Sequence, residues 1–181
     1  SRHLSAIPTS ALQELCADVD DKDNPVTVDS LQAASAAGDV KAVCAWLASS
    51  DLQDDLSGAL RIAAVENHAN VARVLLAAGA SSETDDEGNT ALHAATFAAV
   101  WRTAKDDGGL AVVRTLLEFG GGDVDTVNTG GFTALHVAAS IGHAGLVQAL
   151  AGAGAAMDLQ VHNGGLTALH LAAKEGHLEV V

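Results

Sequence analysis

The stretch TALHVAASIGHAGLVQALAGAG, residues 133–154, consists of two short apolar segments separated by a Gly-His pair. Similar segments begin with TALHAAT at Thr90 and TALHLAA at Thr167, and weaker copies begin with DSLQAAS at Asp29 and GALRIAA at Gly58. The intervals between the five starts are 29, 32, 43 and 34 residues. Such self-similarity is typical of repeat proteins, in which each unit packs against its neighbours.

Each copy predicts a short helix, a turn, a second helix and a glycine-rich link. A leucine and, three residues later, an alanine recur in every copy and would share one face of the first helix. The threonine of TALH suits an N-cap, whose side-chain oxygen accepts a backbone N–H and stabilises the helix by about 1 kcal/mol. No unit could bury its apolar face alone, so we expect the units to stack. The leucines are Leu31, Leu60, Leu92, Leu135 and Leu169, and the alanines are Ala34, Ala63, Ala95, Ala138 and Ala172.

This combination of a TALH motif and a repeating unit of that length resembles the ankyrin repeat. The resemblance extends over about residues 29–181 and is strongest in the last three units. Alanine follows the threonine where that family has proline, and the first two units carry Gln32 and Arg61 in the histidine slot. The resemblance implies an all-α solenoid of stacked helix-turn-helix units, with β-hairpin-like finger links and a concave face lined by the first helices. It also implies that the TALH histidines brace neighbouring links.

The sequence divides into two parts. Residues 1–28 predict an N-terminal capping helix at 10–19, followed by an acidic turn, and residues 29–181 form the repeat array. The array ends with KEGHLEVV, where a second helix has barely begun, so the fifth unit is truncated. Because repeat arrays end in a polar-faced cap, we expect the chain to be part of a longer protein or of a multi-protein complex.

Cys16 and Cys44 are the two cysteines of the sequence, and their spacing matches neither a disulfide framework nor a metal site. We interpret them as free thiols, which indicates a reducing intracellular compartment, either the cytoplasm or the stromal or matrix side of an organelle. No apolar run approaches the roughly 18–20 residues that a membrane span needs, so the chain is expected to be soluble without direct membrane insertion.

The net charge of −14 is concentrated in the first half of the chain. Residues 1–90 carry 15 acidic and 5 basic side chains, whereas residues 91–181 carry 8 and 4. This charge would repel nucleic acids and anionic membrane surfaces. A basic protein is therefore the expected partner.

The eight histidines are the residues most suggestive of catalysis or metal binding. Six of them fall in two repeat slots, with His93, His136 and His170 in TALH and His68, His143 and His177 in the Gly-His turn slot. The sequence holds no zinc, phosphate-loop or nucleophile motif. We therefore expect no catalytic, cofactor or metal site and no enzymatic activity.

Two stretches are candidate surfaces for a partner. Acidic residues cluster in the first links, where they either keep the protein soluble or recognise a Lys/Arg-rich partner. From residue 115 to residue 173 there is no lysine or arginine, so this stretch is either a neutral surface or is covered by a partner or by the rest of the chain. The acidic residues of the first links are Asp51, Asp54, Asp55, Glu83, Asp85, Asp86 and Glu87.

The interval of 43 residues after Thr90 shows that the third unit carries an insertion. Phe97, Val100 and Trp101 stand at helical spacing, so the first helix is expected to continue for about two turns and form a protrusion at 97–109. Trp101 either packs on its own or the neighbouring unit or, with Arg102, anchors a partner. The full set of candidate protein-binding residues is Glu83, Asp85, Asp86, Glu87, Phe97, Trp101, Arg102, Lys105, Phe132 and His162.

These observations together predict a non-catalytic scaffold or assembly subunit that binds partner proteins through the fingers, the concave face and the protrusion. The alternative is a regulatory ankyrin domain of a larger enzyme or channel. A catalytic signature or membrane spans beyond Val181 would favour the alternative.

Overall fold

The computed structural model describes residues 30–49, 55–101, 109–120, 122–161 and 164–180. The predicted capping helix at 10–19 and the acidic turn after it lie outside the described residues. So do Asp51 and Asp54 of the acidic links, and Arg102, Lys105 and His162 of the candidate binding set.

Nine α-helices lie within these ranges, and the first eight form four helix-turn-helix pairs. The first pair is α1 (Leu31–Ala37) with α2 (Val40–Ser49), and the second is α3 (Leu56–Val65) with α4 (Ala69–Ala77). The third is α5 (Ala91–Ala98), followed by a 3-10 turn (Ala99–Trp101), with α6 (Leu110–Glu118). The fourth is α7 (Ala134–Ser140) with α8 (Ala144–Gly152), and α9 (Ala168–Glu175) begins the fifth unit.

The helices stack in two rows. The first-helix row consists of α1, α3, α5, α7 and α9, each packed against the next, and the second-helix row consists of α2, α4, α6 and α8. Within each unit the two helices also contact each other. This arrangement confirms the predicted all-α fold of stacked helix pairs.

The links between units are tight turns rather than β-ladders, because no strand is assigned in the described ranges. The described links are nevertheless closed by backbone hydrogen bonds, as small hairpins are. The backbone N–H of Asp85 donates to the carbonyl of Asn89 at 3.0 Å, and that of Asn128 donates to Phe132 at 3.0 Å. We call residues 81–89 the acidic finger and residues 122–132 the next finger.

The core is built from the leucine and alanine slots that the sequence predicts. Leu31, Leu60, Leu92 and Leu135 are at most 4% exposed, and burying each contributes roughly 1.5–3 kcal/mol. Leu169 occupies the same slot in the last described unit and is 52% exposed. Within the described residues this last unit has neither a second helix nor a following unit packed on it, so the slot is buried only where other helices cover it.

The first helices of the two weaker units begin at other residues than the motif alignment indicates. Ser30, not Asp29, caps α1 by accepting the Ala33 N–H at 3.1 Å. Asp55 caps α3 by accepting the Gly58 N–H at 2.7 Å, three residues before the expected start at Gly58. A glycine has no side chain with which to cap, so the nearest upstream carboxylate takes that role.

Cys44, on α2, is disulfide-bonded, and the described residues include no free cysteine. The interpretation of Cys44 as a free thiol is therefore wrong, and the reducing compartment inferred from it loses that support. The only other cysteine of the sequence, Cys16, lies outside the described residues. Spacing along the chain could not reveal the bond, because disulfide formation depends on the Cα atoms lying within about 7 Å in the fold.

Candidate functional site

The TALH histidines hold the fingers in place. His93 is 1% exposed, and its Nδ1 accepts the Thr90 backbone N–H at 3.3 Å and lies 3.0 Å from the Thr90 hydroxyl. Because a backbone N–H can only donate, Nδ1 is unprotonated and the ring proton is on Nε2. Nε2 donates to the carbonyl of Phe132, in the next finger, at 2.9 Å. One neutral imidazole thus caps its own helix and braces the link that follows.

Equivalent hydrogen bonds to the following link occur in two other units. His136 contacts Thr133 through Nδ1 and donates from Nε2 to the carbonyl of Leu159 at 3.0 Å. In the second unit, where arginine occupies the histidine slot, Arg61 donates to the carbonyl of Glu83 at 3.1 Å. Arg61 therefore performs the bracing role despite the departure from the motif, because its guanidinium reaches the same kind of acceptor.

Both buried TALH histidines are held neutral. Burial lowers the pKa of His93 from its ordinary value of 6.5, because an imidazolium would be removed from water. The hydrogen bond to Phe132 and the charge of Asp85 oppose this effect more weakly. Burial likewise lowers the pKa of His136, opposed by its contacts with the backbone carbonyls of Leu159 and Leu166.

Two of the histidines in the Gly-His turn slot form a second set of links between units. His68 donates through Nε2 to the carbonyl of Ala36 in the preceding unit at 3.1 Å, and His177 donates to that of Ser140 at 2.9 Å. His143 follows the insertion-bearing unit and instead caps its own helix through Nδ1 at 3.2 Å. Among the described residues, no such bond joins His143 to the third unit.

The acidic finger presents carboxylates with different roles. Asp85 is half-buried, and its carboxylate accepts the backbone N–H groups of Glu87 at 3.1 Å and Asn89 at 2.7 Å. Glu83, Asp86 and Glu87 are exposed. The carbonyl of Glu87 accepts a bond from the next finger at 2.9 Å. Asp85 thus stabilises the turn by accepting hydrogen bonds from its backbone. The carboxylates of Glu83, Asp86 and Glu87 are exposed to solvent on the same finger.

An apolar groove lies between α5 and α7, on the exposed side of the first-helix row. Its cavity volume is about 290 Å³. Phe97 and Val100 form one wall and are 42% and 49% exposed. The other lining residues are Phe132, Val137, Ser140 and Ile141.

A second groove lies along α3 and has mixed character. Its volume is about 460 Å³, and three carboxylates line it together with one guanidinium and the apolar Ile62, Val65 and Ala94. The charged residues are Asp55, Glu66, Asp85 and Arg61. We call it the acid-lined groove. Helix α3 lines this groove and α7 lines the apolar one, and α5 contributes Ala94 to the first and Phe97 to the second, so α5 lies between the two grooves.

The structure brings some of the predicted binding residues together and leaves others apart. Phe97 and Phe132, far apart in the sequence, line one groove, and the ring of Phe132 lies edge-on to His136 with centroids 6.3 Å apart. Of the predicted protrusion, Phe97 to Trp101 is described: the α-helix ends at Ala98 and one 3-10 turn follows it, and the expected extension by about two turns stays a prediction for the residues beyond Trp101. Sequence reasoning missed Val137 and Ile141 as groove residues, although their helical spacing in α7 was visible.

The stretch without lysine or arginine includes several exposed apolar side chains. Phe119 is 45% exposed, Val127 44% and Met157 49%. That a partner covers this stretch stays a prediction. Among the described residues, no three His, Cys, Asp or Glu side chains are grouped so that they could hold a metal ion. No helix in the described ranges has the length and hydropathy needed to span a bilayer.

Comparison with known families gives a match over most of the chain. A family model described as ankyrin repeats, in three copies, matches residues 30–100 and again residues 100–181. A comparison with curated proteins finds no significant match.

Proposed function

The chain belongs to the ankyrin-repeat family, whose repeats are generally non-catalytic protein–protein interaction modules, and on that premise we propose that it is a scaffold or assembly subunit for a basic partner protein. The partner binds the acidic finger and the exposed side of the first-helix row, which corresponds to the concave face expected from the sequence. The observation that carries the proposal is the exposed Asp86–Glu87 pair, presented on a turn that is hydrogen-bonded to the finger beside it.

A rigid acidic turn favours recognition for two reasons. Its backbone is already ordered by Asp85 and by the contact with the next finger, so less conformational entropy is lost when a partner binds. Its charge is part of a net charge of −14, which attracts a basic partner over a Debye length of about 8 Å at physiological salt. Each exposed ion pair contributes only about 0.2–1 kcal/mol, so the acidic finger directs association more than it determines affinity.

Charge reversal at the finger tip tests the proposal. Partners are identified by cross-linking mass spectrometry on the native source, and their affinity for the purified chain is then titrated. We expect Asp86→Lys combined with Glu87→Lys to weaken binding by roughly five- to thirtyfold and to flatten its salt dependence. Asp85 is left intact, because its carboxylate holds the turn.

The matched control is Glu118→Lys combined with Glu179→Lys. Both glutamates are exposed and stand outside the fingers, and the change in net charge is the same. Equal weakening by the two double variants would show that only net charge matters, which would contradict binding at the acidic finger. Unchanged affinity in the Asp86/Glu87 variant would contradict it as well.

A further inference from the structure

The apolar groove exists because the first helix of the third unit does not turn where the others do. Four units have a left-handed residue after this helix, with φ of 62° to 81°: Gly38, Asn67, Gly142 and Gly176. The third unit has Ala99 in the equivalent position, with φ −60°. Alanine strongly disfavours positive φ, so the chain continues as a 3-10 turn and carries Val100 beyond the point where a glycine would reverse it.

The wall of this groove formed by Phe132 and α7 is held in place by the protein itself. Phe132 is held at both ends of its backbone, because its N–H donates to Asn128 Oδ1 at 3.1 Å and its carbonyl accepts the His93 proton at 2.9 Å. Val137 stands on α7 and Ile141 is the C-cap residue of this helix, which packs between α5 and α9. A preformed apolar site of about 290 Å³ lies at the lower limit of small-ligand pockets, and it suits one or two large side chains.

We propose that this groove binds a large apolar side chain from a partner segment whose flanking residues are lysine or arginine. The proposal rests on the proposed function and names the chemistry of the partner. The apolar anchor follows from the described lining residues, none of which is charged.

The acidic side chains on two sides of the groove indicate that the partner residues flanking the anchor are basic. On one side, the next finger contains Phe132 and is hydrogen-bonded to the acidic finger. The Thr129 backbone N–H donates to the Glu87 carbonyl at 2.9 Å. Across α5, the acid-lined groove carries three carboxylates against Arg61. A second copy of this chain would bring the same charge of −14 and is disfavoured as the occupant.

The distance between the two grooves sets the spacing of the partner motif. Packed helices lie about 8–10 Å apart, so the acid-lined groove on α3 and the middle of the apolar groove are roughly 15 Å apart. An extended peptide advances about 3.3 Å per residue. We therefore expect the basic residues and the apolar anchor to be separated by about four or five residues.

The test uses fluorescein-labelled synthetic peptides that contain an Arg-Arg pair, a Gly/Ser spacer and a single Leu or Trp, titrated by anisotropy against the purified 181-residue chain. The spacer is varied from roughly one to nine residues, and we expect the tightest binding near four or five. Replacing the Leu or Trp by Ser should weaken binding by about tenfold or more. Affinity that is independent of both the spacer and the anchor would overturn the proposal.

Two variants of equal exposure separate the groove from the rest of the surface. Phe97→Ser removes a groove wall that is 42% exposed, and Phe119→Ser removes an aromatic ring that is 45% exposed and lies outside the groove. We expect Phe97→Ser to weaken peptide binding by about tenfold at an unchanged melting temperature, and Phe119→Ser to leave it unaffected. Equal effects would refute the assignment.

Other results distinguish this inference from the proposed function. If Phe97→Ser lowers the melting temperature by many degrees, the chain itself covers the ring and the docking proposal is wrong. If the native partner responds to charge reversal at Asp86 and Glu87 but not to Phe97→Ser, the scaffold function stands and the groove is not its anchor site. Sensitivity of the native partner to both changes supports the two proposals together.

Discussion

Truncating His93 to alanine is expected to destabilise the protein more than the same change at His170, although both residues occupy the same motif slot. His93 is 1% exposed, and its loss leaves the Thr90 N–H and the Phe132 carbonyl without their ring partners. An unsatisfied buried polar group costs about 1–3 kcal/mol, and the cavity adds to that cost. In the variant, the backbone N–H of residue 93 still donates to Thr90 Oγ1, so this N-cap hydrogen bond is retained. We expect a loss of about 3 kcal/mol from the free energy of unfolding.

His170→Ala is the matched control. Its Nδ1 makes the same contacts with Thr167, at 3.2 and 2.9 Å, but the side chain is exposed, so water replaces the lost contacts. We expect a loss of about 0.5–1 kcal/mol, at the low end for a cap interaction.

Urea titration followed by far-UV circular dichroism measures both variants. A fall in the midpoint at constant m reports stability, whereas a lower m would indicate that units have begun to unfold separately. Equal losses in the two variants would show that the brace to the next finger contributes nothing. A loss below about 1 kcal/mol in His93→Ala would contradict the expectation that leaving the Thr90 N–H and the Phe132 carbonyl without their ring partners destabilises the fold.

Two further predictions concern the histidine contacts. Because burial lowers the pKa of His93 and His136, the unfolded chain takes up protons near pH 6.5 while the folded chain does so only at lower pH. Stability should therefore fall as the pH decreases from about 6.5, by no more than about 1.4 kcal/mol per pH unit for each histidine, and a urea midpoint that rises on acidification would contradict this. An added Cβ at Gly38, at φ 71°, would lie 2.6 Å from the His68 ring, whereas at Gly176, at φ 81°, it would meet nothing within 4 Å. Gly38→Ala should thus cost about 2–3 kcal/mol and Gly176→Ala about 1–2 kcal/mol, and equal thermal shifts would show that the His68 contact is dispensable.

Local features of the fold were predictable from the sequence. Thr90, Thr133 and Thr167 cap their helices as expected, because capping depends on a side chain and a backbone N–H three residues apart. The extension past Phe97 was also predictable, and the replacement of a turn glycine by Ala99 is a local signal for it.

Features that join distant parts of the chain were not predictable in the same way. The motif alignment marked Arg61 as a departure, yet it reaches the Glu83 carbonyl as the histidines reach theirs. Cys44 was interpreted as a free thiol and is disulfide-bonded. Asp85 was grouped with the exposed finger carboxylates, although it accepts backbone hydrogen bonds within its own turn.

The sequence by itself determined the repeating unit and its threonine caps, because each depends on residues within one or two helical turns of each other. Only the tertiary structure decided that Phe97 and Phe132 line one groove and that the finger containing Phe132 is hydrogen-bonded to the acidic finger. Those contacts arise from the stacking of units, which places side chains of separate helices a few ångströms apart. The distance between stacked helices, and the direction in which each wall of the groove faces, depend on the volumes of the side chains packed between the helices. The spacing of residues along a single segment does not contain that information.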